Sequence, residues 1–130
     1  LRLPLAVVLA VALPLPLVDG VPLPEALDRL KNETLPARAA CITFDDGYEN
    51  NVRCALPILK RFGFSSTCYV VAGAIGTQNS WDAEQGIVQV PLMDAAELQR
   101  WVDGGQEVGS HTLTHAKLNA LTAVLSTMPL

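Results

Sequence analysis

Two short motifs in this chain carry residue types that can perform hydrolytic chemistry. The first is ITFDDG (residues 42–47), in which Asp45 and Asp46 stand side by side at the end of an apolar run. The second is SHTLTH (residues 110–115), which contains both histidines of the chain, His111 and His115. Burial of adjacent carboxylates is costly unless a cation pairs with them. The alternative is that the first motif is an exposed turn and that the second lies on a helix surface.

A divalent cation would account for both motifs. Two imidazoles four residues apart can reach one metal ion, and two histidines with one carboxylate are typical of catalytic metal sites with open positions for water. Such an ion lowers the pKa of water and polarises a carbonyl, while a second carboxylate can act as general base. Adjacent side chains on a strand point to opposite faces, so both aspartates can serve one site only if the chain turns at Gly47.

The apolar pattern around these motifs predicts alternating strands and helices. We predict buried strands over residues 41–44 and 66–73 and a short third strand over 106–110. We predict a short helix that begins at Pro24, with Leu23, Leu27 and Leu30 on one face, and a second helix over 50–62 that is interrupted at Pro57 and capped at Gly63. A third helix should begin at a capping box of Asp94 and Glu97 and run through Val102. A fourth is predicted over 117–125.

This order of elements favours an α/β fold with parallel strands and right-handed crossovers. Ligands bind such folds at the carboxyl ends of the strands. We therefore expect the DDG motif, which follows the first strand, and the histidine motif, which follows the third, to meet at one rim of the sheet.

Composition narrows the function classes and the location. The net charge is −4 and no basic cluster is present, which argues against nucleic-acid binding. Three cysteines without a C-x-x-C pair do not form a disulfide framework, and we predict Cys41 and Cys68 to be buried thiols, with a chance disulfide left open.

Residues 1–21 form an apolar, proline-rich segment that resembles a leader and is too short to span a bilayer, so no integral membrane span is expected. The alternative is a flank of a missing upstream element.

Three segments together resemble the polysaccharide deacetylase family, carbohydrate esterase family 4, over about residues 22–122. They are ITFDDGY, ALPILKRFGFSSTCYVVAG and ELQRWVDGGQEVGSHTLTHAKLNAL. The resemblance implies a distorted, TIM-barrel-like (β/α) barrel with its active site at the strand carboxyl ends. It implies a metal-dependent hydrolase that removes N-acetyl groups from amino-sugar polysaccharides, a hydrolysis of a non-peptide C–N bond. Its partner would be an acetylated amino-sugar polymer or oligomer.

The resemblance also implies a role for each motif residue. Asp45 would be the general base, and Asp46, His111 and His115 would be the metal ligands. The metal would most often be Zn²⁺, with Co²⁺ or Ni²⁺ as substitutes. Asp45 would accept a proton from the attacking water, and the cation would help to stabilise the oxyanion.

Two aromatic residues have a functional and a structural interpretation. Tyr48 follows the DDG motif and would line the substrate groove, or else pack in the core. Trp81 lies in the polar loop after the second strand, where it would stack on a sugar ring or simply pack. The sequence leaves both alternatives open.

The family domain continues after the histidine motif with an arginine, an aromatic loop and a late histidine, and this chain has none of these residue types after His115. We therefore expect residues 22–130 to be a truncated deacetylase domain, the N-terminal part of an incomplete barrel whose open edge permits self-association. Activity is then expected to be weak or absent. The alternatives are a non-catalytic metal- or carbohydrate-binding remnant and an unrelated α/β domain. The substrate class suggests an extracytoplasmic or secreted location, with a cytoplasmic one as the alternative.

Overall fold

The computed structural model describes residues 18–118, so the leader-like segment and most of the helix predicted over 117–125 lie outside the described residues. The elements in chain order are β1 (Asp19–Gly20), α1 (Leu23–Lys31), β2 (Ala39–Ala40), β3 (Ile42–Phe44), a π-helical turn (Asn51–Ala55), α2 (Leu56–Phe62), β4 (Ser66–Val70), two 3₁₀ turns (Ala72–Ala74 and Ser80–Gln85), α3 (Ala95–Asp103) and β5 (Glu107–Ser110).

The three predicted strands form one parallel sheet in the order β3-β4-β5. The register pairs Phe44 with Cys68 and Val70 with Ser110, so the carboxyl ends of all three strands face the same edge. The predicted parallel α/β arrangement is confirmed. A second parallel pair, β1 with β2, was not predicted, because Asp-Gly and Ala-Ala segments carry no strand pattern.

The core lies between the sheet and the helices that cross it. It consists of Val52, Leu56, Leu59, Cys68, Val70, Met93 and Trp101. Trp101 of α3 is fully buried; its ring meets Phe44 edge-on at a centroid distance of 5.6 Å, and its indole N–H donates to the carbonyl of Glu107 at 3.0 Å. Helix α3 thus contacts both outer strands of this sheet, which fixes the ends that carry the two motifs.

The helix boundaries lie where proline, glycine and the capping box predicted them. The chain is π-helical up to Ala55 and restarts as an α-helix at Leu56, with Pro57 in the first turn, where its missing N–H breaks no helical hydrogen bond. Helix α2 ends at Gly63 in the left-handed conformation. At the start of α3 the Asp94 carboxylate accepts from the Glu97 N–H at 2.8 Å, and the Glu97 carboxylate accepts from the Asp94 N–H at 3.1 Å.

Three predictions about burial differ from the structure. Strand β3, predicted to be buried, is only half-buried, with one exposed residue. Cys68 is buried as predicted, but Cys41 is exposed, because it precedes the three-residue strand β3 and does not enter the core. The cysteines of the described residues are free, so no disulfide joins them. In α1, Leu27 and Leu30 are 49% and 61% exposed, and Ala26 is the buried residue of that helix. Within residues 18–118 no helix is long and apolar enough to cross a bilayer.

Candidate metal centre

The DDG motif forms a sharp turn at the carboxyl end of β3. Asp46 and Gly47 have φ angles of +69° and +83°, and the Gly47 N–H donates to the Asp45 carbonyl at 2.9 Å. The Gly47 carbonyl accepts from the Met93 N–H at 2.8 Å, which ties the turn to the segment before α3. A Cβ atom at Gly47 would lie 2.9 Å from Val70 Cγ1, so glycine meets both the conformational and the steric requirement. The turn predicted at Gly47 is present.

The histidine motif is held by backbone hydrogen bonds that extend the pairing of β4 with β5. The His111 N–H donates to the Val70 carbonyl at 2.8 Å, and the Gly73 N–H donates to the Leu113 carbonyl at 2.8 Å. A Cβ atom at Gly73 would lie only 2.5 Å from the Leu113 carbonyl oxygen. The close approach of these two segments therefore requires glycine and fixes the path of the chain between the histidines.

Backbone strain in the described residues is concentrated at these two motifs. Among the described residues, four that are not glycine have a left-handed φ. Three of the four belong to the motifs: Asp46 (+69°), Thr112 (+66°) and His115 (+56°). Such conformations cost roughly 1–2 kcal/mol per residue and persist only where the surrounding structure enforces them. Their clustering makes this rim a candidate functional site.

Three of the predicted site residues come together at the rim. The Nε2 atoms of His111 and His115 lie 3.5 and 3.2 Å from Oδ1 of Asp46. All three potential ligand atoms lie within 4.8 Å of one another. The Asp46 side chain is 17% exposed and the imidazoles are about one-third exposed, so the cluster opens to solvent on the histidine side. The expectation that the two motifs meet at one rim is met.

The hydrogen bonding of Asp46 fits a cation better than it fits an ion pair. Its Oδ1 atom is buried and has no hydrogen-bond partner in the described structure, although two imidazole nitrogens face it. A buried carboxylate oxygen without a partner carries the full cost of its lost hydration. A divalent cation bound between the three side chains would remove that cost, and two imidazoles with one carboxylate suit such an ion.

Tyr48 contacts Asp46 of the cluster, and its role in lining a substrate groove stays a prediction. Its side chain is half-buried, and burial, followed by the charge of Asp46 and a hydrogen bond to that carboxylate, raises the pKa of the Tyr48 hydroxyl. The hydroxyl therefore stays protonated and donates to Asp46. This contact was not predicted, since residue spacing does not reveal which way the side chain turns after Gly47.

Asp45 occupies a different position from its neighbour. Its side chain is exposed, and it is not among the three residues whose ligand atoms cluster. The adjacent aspartates are therefore divided by the turn: Asp46 enters the cluster and Asp45 faces solvent at the rim. The role of Asp45 as a general base stays a prediction.

Trp81 is a further residue of the site, and its contact was not predicted. Its indole ring stacks on the His115 imidazole at a centroid distance of 4.6 Å and an interplanar angle of 24°. Trp81 lines two cavities, of about 280 and 480 Å³, and the larger is also lined by His115, Asp82 and Lys117. Its buried Nε1 has no hydrogen-bond partner in the described residues. The stacking partner seen is a histidine, and a contact with a sugar stays a prediction.

Comparison with known proteins identifies similar sequences. A family model described as polysaccharide deacetylase matches residues 32–125. The chain is 32% identical over 85 residues to the putative polysaccharide deacetylase YxkH of Bacillus subtilis, an alignment that covers 65% of this chain and 26% of that protein. The chain thus spans about a quarter of the length of this curated relative.

Solved structures show a similar fold. The Streptococcus pyogenes deacetylase PplD, in complex with acetate, has a TM-score of 0.63 and 25% identity, over 83% of this chain and 45% of that chain. IcaB from Ammonifex degensii has a TM-score of 0.64 and 27% identity, over 83% of this chain and 42% of that chain. The deacetylase domain of BpsB from Bordetella bronchiseptica, at 24% identity and a TM-score of 0.56 over 72% of this chain and 38% of that chain, adds a likeness of fold.

Proposed function

Because the chain belongs to the polysaccharide deacetylase family, we propose that it forms part of a metal-dependent hydrolase that removes N-acetyl groups from an amino-sugar polysaccharide. The observation that carries this proposal is the buried, unpaired Oδ1 of Asp46, which faces the Nε2 atoms of His111 and His115 at the carboxyl end of a parallel sheet. Since the chain covers 26% of its curated relative, the activity and substrate of a whole protein belong to the proposal.

The same three side chains would hold the metal ion. Zn²⁺ is the first choice, with Co²⁺ and Ni²⁺ as substitutes, because imidazole and carboxylate ligands suit all three. The bound ion would polarise the acetyl carbonyl and make water acidic enough to be activated near neutral pH. The Tyr48 hydroxyl donates a hydrogen bond to Asp46 and would thereby orient this ligand, and Tyr48 is also the candidate to line the substrate groove.

Asp45 supplies the base in this proposal. Its exposed carboxylate stands at the rim beside the ligand Asp46, so it is free to accept a proton from the attacking water while Asp46 holds the cation. The division follows from the turn, because an aspartate bound to a cation is a poor proton acceptor.

The substrate is an acetylated amino-sugar polymer or oligomer, and the protein acts outside the cytoplasm, where such polymers occur. The domain proposed for residues 22–130 corresponds to part of a distorted (β/α) barrel, and the solved structures of the deacetylase PplD and of IcaB support this assignment through their fold. The open edge at β5, the last strand of the three-stranded sheet, is the surface through which the chain would self-associate.

An acetate-release assay on N-acetylated chito-oligosaccharide tests the proposal. The purified chain is stripped with EDTA, assayed, and assayed again after one equivalent of Zn²⁺ is added. Acetate release, which we expect to be weak in this chain, should come only from the zinc-loaded wild type and not from zinc-loaded Asp45→Asn. Zinc binding without acetate release would favour the alternative of a non-catalytic metal- or carbohydrate-binding chain, whereas absence of both would contradict the proposed site.

A further inference from the structure

We infer that Trp81 is a positioning residue of the metal centre, whose indole ring holds the His115 imidazole with Nε2 toward Asp46. The two rings are nearly parallel, with centroids 4.6 Å apart and an interplanar angle of 24°. The inference rests on the proposed function, since it assigns Trp81 to the same site. Beyond that function, Trp81 would hold one metal ligand in position without itself binding the metal.

His115 needs such support because its backbone lies outside the helices and strands. It follows a turn and has a left-handed φ of +56°. Its side chain is one-third exposed, so solvent does not hinder rotation of the ring. Histidines that bind metal are usually held by a second contact that sets the ring plane, most often a hydrogen bond to the other nitrogen. For His115 the stacked indole supplies a contact of this kind.

The loop that carries Trp81 is rigid enough to act as a support. Asn79 is 1% exposed, its side-chain oxygen accepts from the Val90 N–H at 2.6 Å, and its side-chain amide donates to the Asp82 carboxylate at 3.1 Å. The Asn79 side chain therefore crosslinks the two arms of the loop on either side of Trp81. These hydrogen bonds fix the position from which the indole reaches His115.

Metal binding strengthens this stack. A cation on Nε2 draws electron density from the imidazole, and the face of an indole ring is electron-rich. The stacked arrangement therefore stabilises the metal-bound form of His115 more than the free form. Phenylalanine at position 81 would preserve a ring for stacking, with a less electron-rich face than that of indole. Leucine would preserve only apolar volume.

Zinc affinity of three variants tests the inference. The Kd for Zn²⁺ is measured by competition with a chromophoric chelator for the wild-type chain, Trp81→Phe, Trp81→Leu and the control Val88→Ala, which changes a 75% exposed side chain of the same loop. We expect about a tenfold weaker Kd for Trp81→Leu, as for lost outer-shell partners of metal ligands. Trp81→Phe should retain most of the affinity and Val88→Ala all of it. Equal affinity for Trp81→Leu and wild type would overturn the inference.

Fluorescence of the wild-type chain gives a second readout that does not depend on a folded leucine variant. The chain has two tryptophans, Trp81 at the site and Trp101 in the core. Ni²⁺ is a paramagnetic quencher, so Ni²⁺ bound to His115 should quench the emission of the stacked Trp81. The remaining emission, from Trp101, should then equal the emission of Trp81→Phe. Emission that stays unchanged while Ni²⁺ binds would show that the stack is absent and would overturn the inference.

The two proposals fail in different ways. A wild-type chain that binds no Zn²⁺ would contradict the proposed function and this inference together. A wild-type chain that binds Zn²⁺, with Trp81→Leu equal to it, would contradict only the inference. A zinc-loaded wild-type chain without acetate release would contradict the catalytic proposal and leave the positioning role of Trp81 supported by the affinities.

Discussion

At the scale of single residues, the turn between Asp45 and Asp46 decides their chemistry. The left-handed φ of Asp46 swings its carboxylate into the cluster with His111 and His115, while Asp45 faces solvent. Two adjacent carboxylates would otherwise repel each other without benefit. The turn thus places the two carboxylates in separate environments, one in the cluster and one in solvent.

Replacement of each aspartate should separate binding from catalysis. Asp46→Asn should weaken Zn²⁺ binding by more than about 100-fold, above the loss typical of outer-shell partners, because it removes a charged ligand. Asp45→Asn should leave the zinc affinity unchanged. Equilibrium dialysis followed by metal analysis measures both. Equal zinc loss in the two variants would contradict the division of roles.

Cys68 should be chemically inert in the folded chain. Burial raises the pKa of its thiol from 9.0 to about 12, against the opposing hydrogen bonds from Asn51 and Gly47. A neutral, buried thiol is a poor nucleophile, so iodoacetamide at about pH 8 should modify the exposed Cys41 and Cys54 and spare Cys68 until denaturant is added. Mass spectrometry of peptides measures the pattern. Rapid modification of native Cys68 would contradict its burial.

The same pKa shift has a consequence for stability. The folded thiol retains its proton to a higher pH than the unfolded thiol, so its contribution to stability is complete below pH 9.0. This contribution is lost as the pH rises from there toward about 12, where the folded thiol also ionises. Denaturation midpoints measured for wild type and Cys68→Ala should therefore converge in alkaline solution.

At the scale of elements, strand ends and their connections set the geometry of the site. The carboxyl ends of β3 and β5 lie at one edge because all three strands of the sheet are parallel. Beyond these ends, backbone hydrogen bonds from His111 and Gly73 extend the pairing of β4 with β5. The histidine segment is therefore placed by the sheet and not by a helix of its own.

Gly73→Ala should disturb the metal centre through the backbone. Its Cβ atom would lie 2.5 Å from the Leu113 carbonyl oxygen, so the histidine segment must move away. We expect a loss of about 1–3 kcal/mol in unfolding free energy, typical of overpacking, together with weaker zinc binding. Gly86→Ala is the matched control. The φ of Gly86 is +70° and an added Cβ would meet no other atom of residues 18–118 within 4 Å, so this variant should lose stability through strain and keep its zinc affinity. Unchanged zinc binding in Gly73→Ala would contradict this account.

The capping box of α3 should contribute measurably to stability. Asp94→Ala removes the acceptor for the Glu97 N–H and should lower the unfolding free energy by about 1 kcal/mol, as for other N-cap substitutions. Urea denaturation measures the change. Asp28→Ala is a suitable comparison, because its contact with Lys31 is 3.8 Å long and three-quarters exposed and should contribute little. Similar losses in the two variants would argue against the capping role.

At the scale of the whole molecule, the candidate metal centre joins parts of the chain that are distant in sequence. Asp46 follows the first strand of the central sheet, and His111 follows the last, with α2, β4 and α3 between them. Only the folded chain brings these ligands together. Helix α3 strengthens the link, because Trp101 contacts both outer strands of this sheet.

Zinc should therefore stabilise the folded chain. At a free Zn²⁺ concentration of about 100 times Kd, the unfolding free energy should rise by roughly 2.7 kcal/mol, because the unfolded chain lacks the assembled site. Urea denaturation with Zn²⁺ and with EDTA measures the difference. Asp46→Asn should show almost none of it, and an equal effect in both proteins would indicate zinc binding elsewhere.

The sequence by itself determined the features that depend on near neighbours. The capping box of Asp94 and Glu97, the helix restart at Pro57 and the turn at Gly47 follow from rules that act over a few residues. The parallel order of three strands followed from the alternation of strands and helices, and it led to the expectation that Asp46 would meet the histidines.

Only the tertiary structure decided which side chains touch across long loops. It paired β1 with β2, left Cys41 exposed, and brought Trp81 onto His115 and the Tyr48 hydroxyl onto Asp46. The physical reason is that these contacts depend on the path of a loop or the rotamer of a side chain, which packing selects. No residue spacing encodes that choice, so the meeting of Asp46 with the histidines could be predicted from sequence and the contacts of Trp81 and Tyr48 could not.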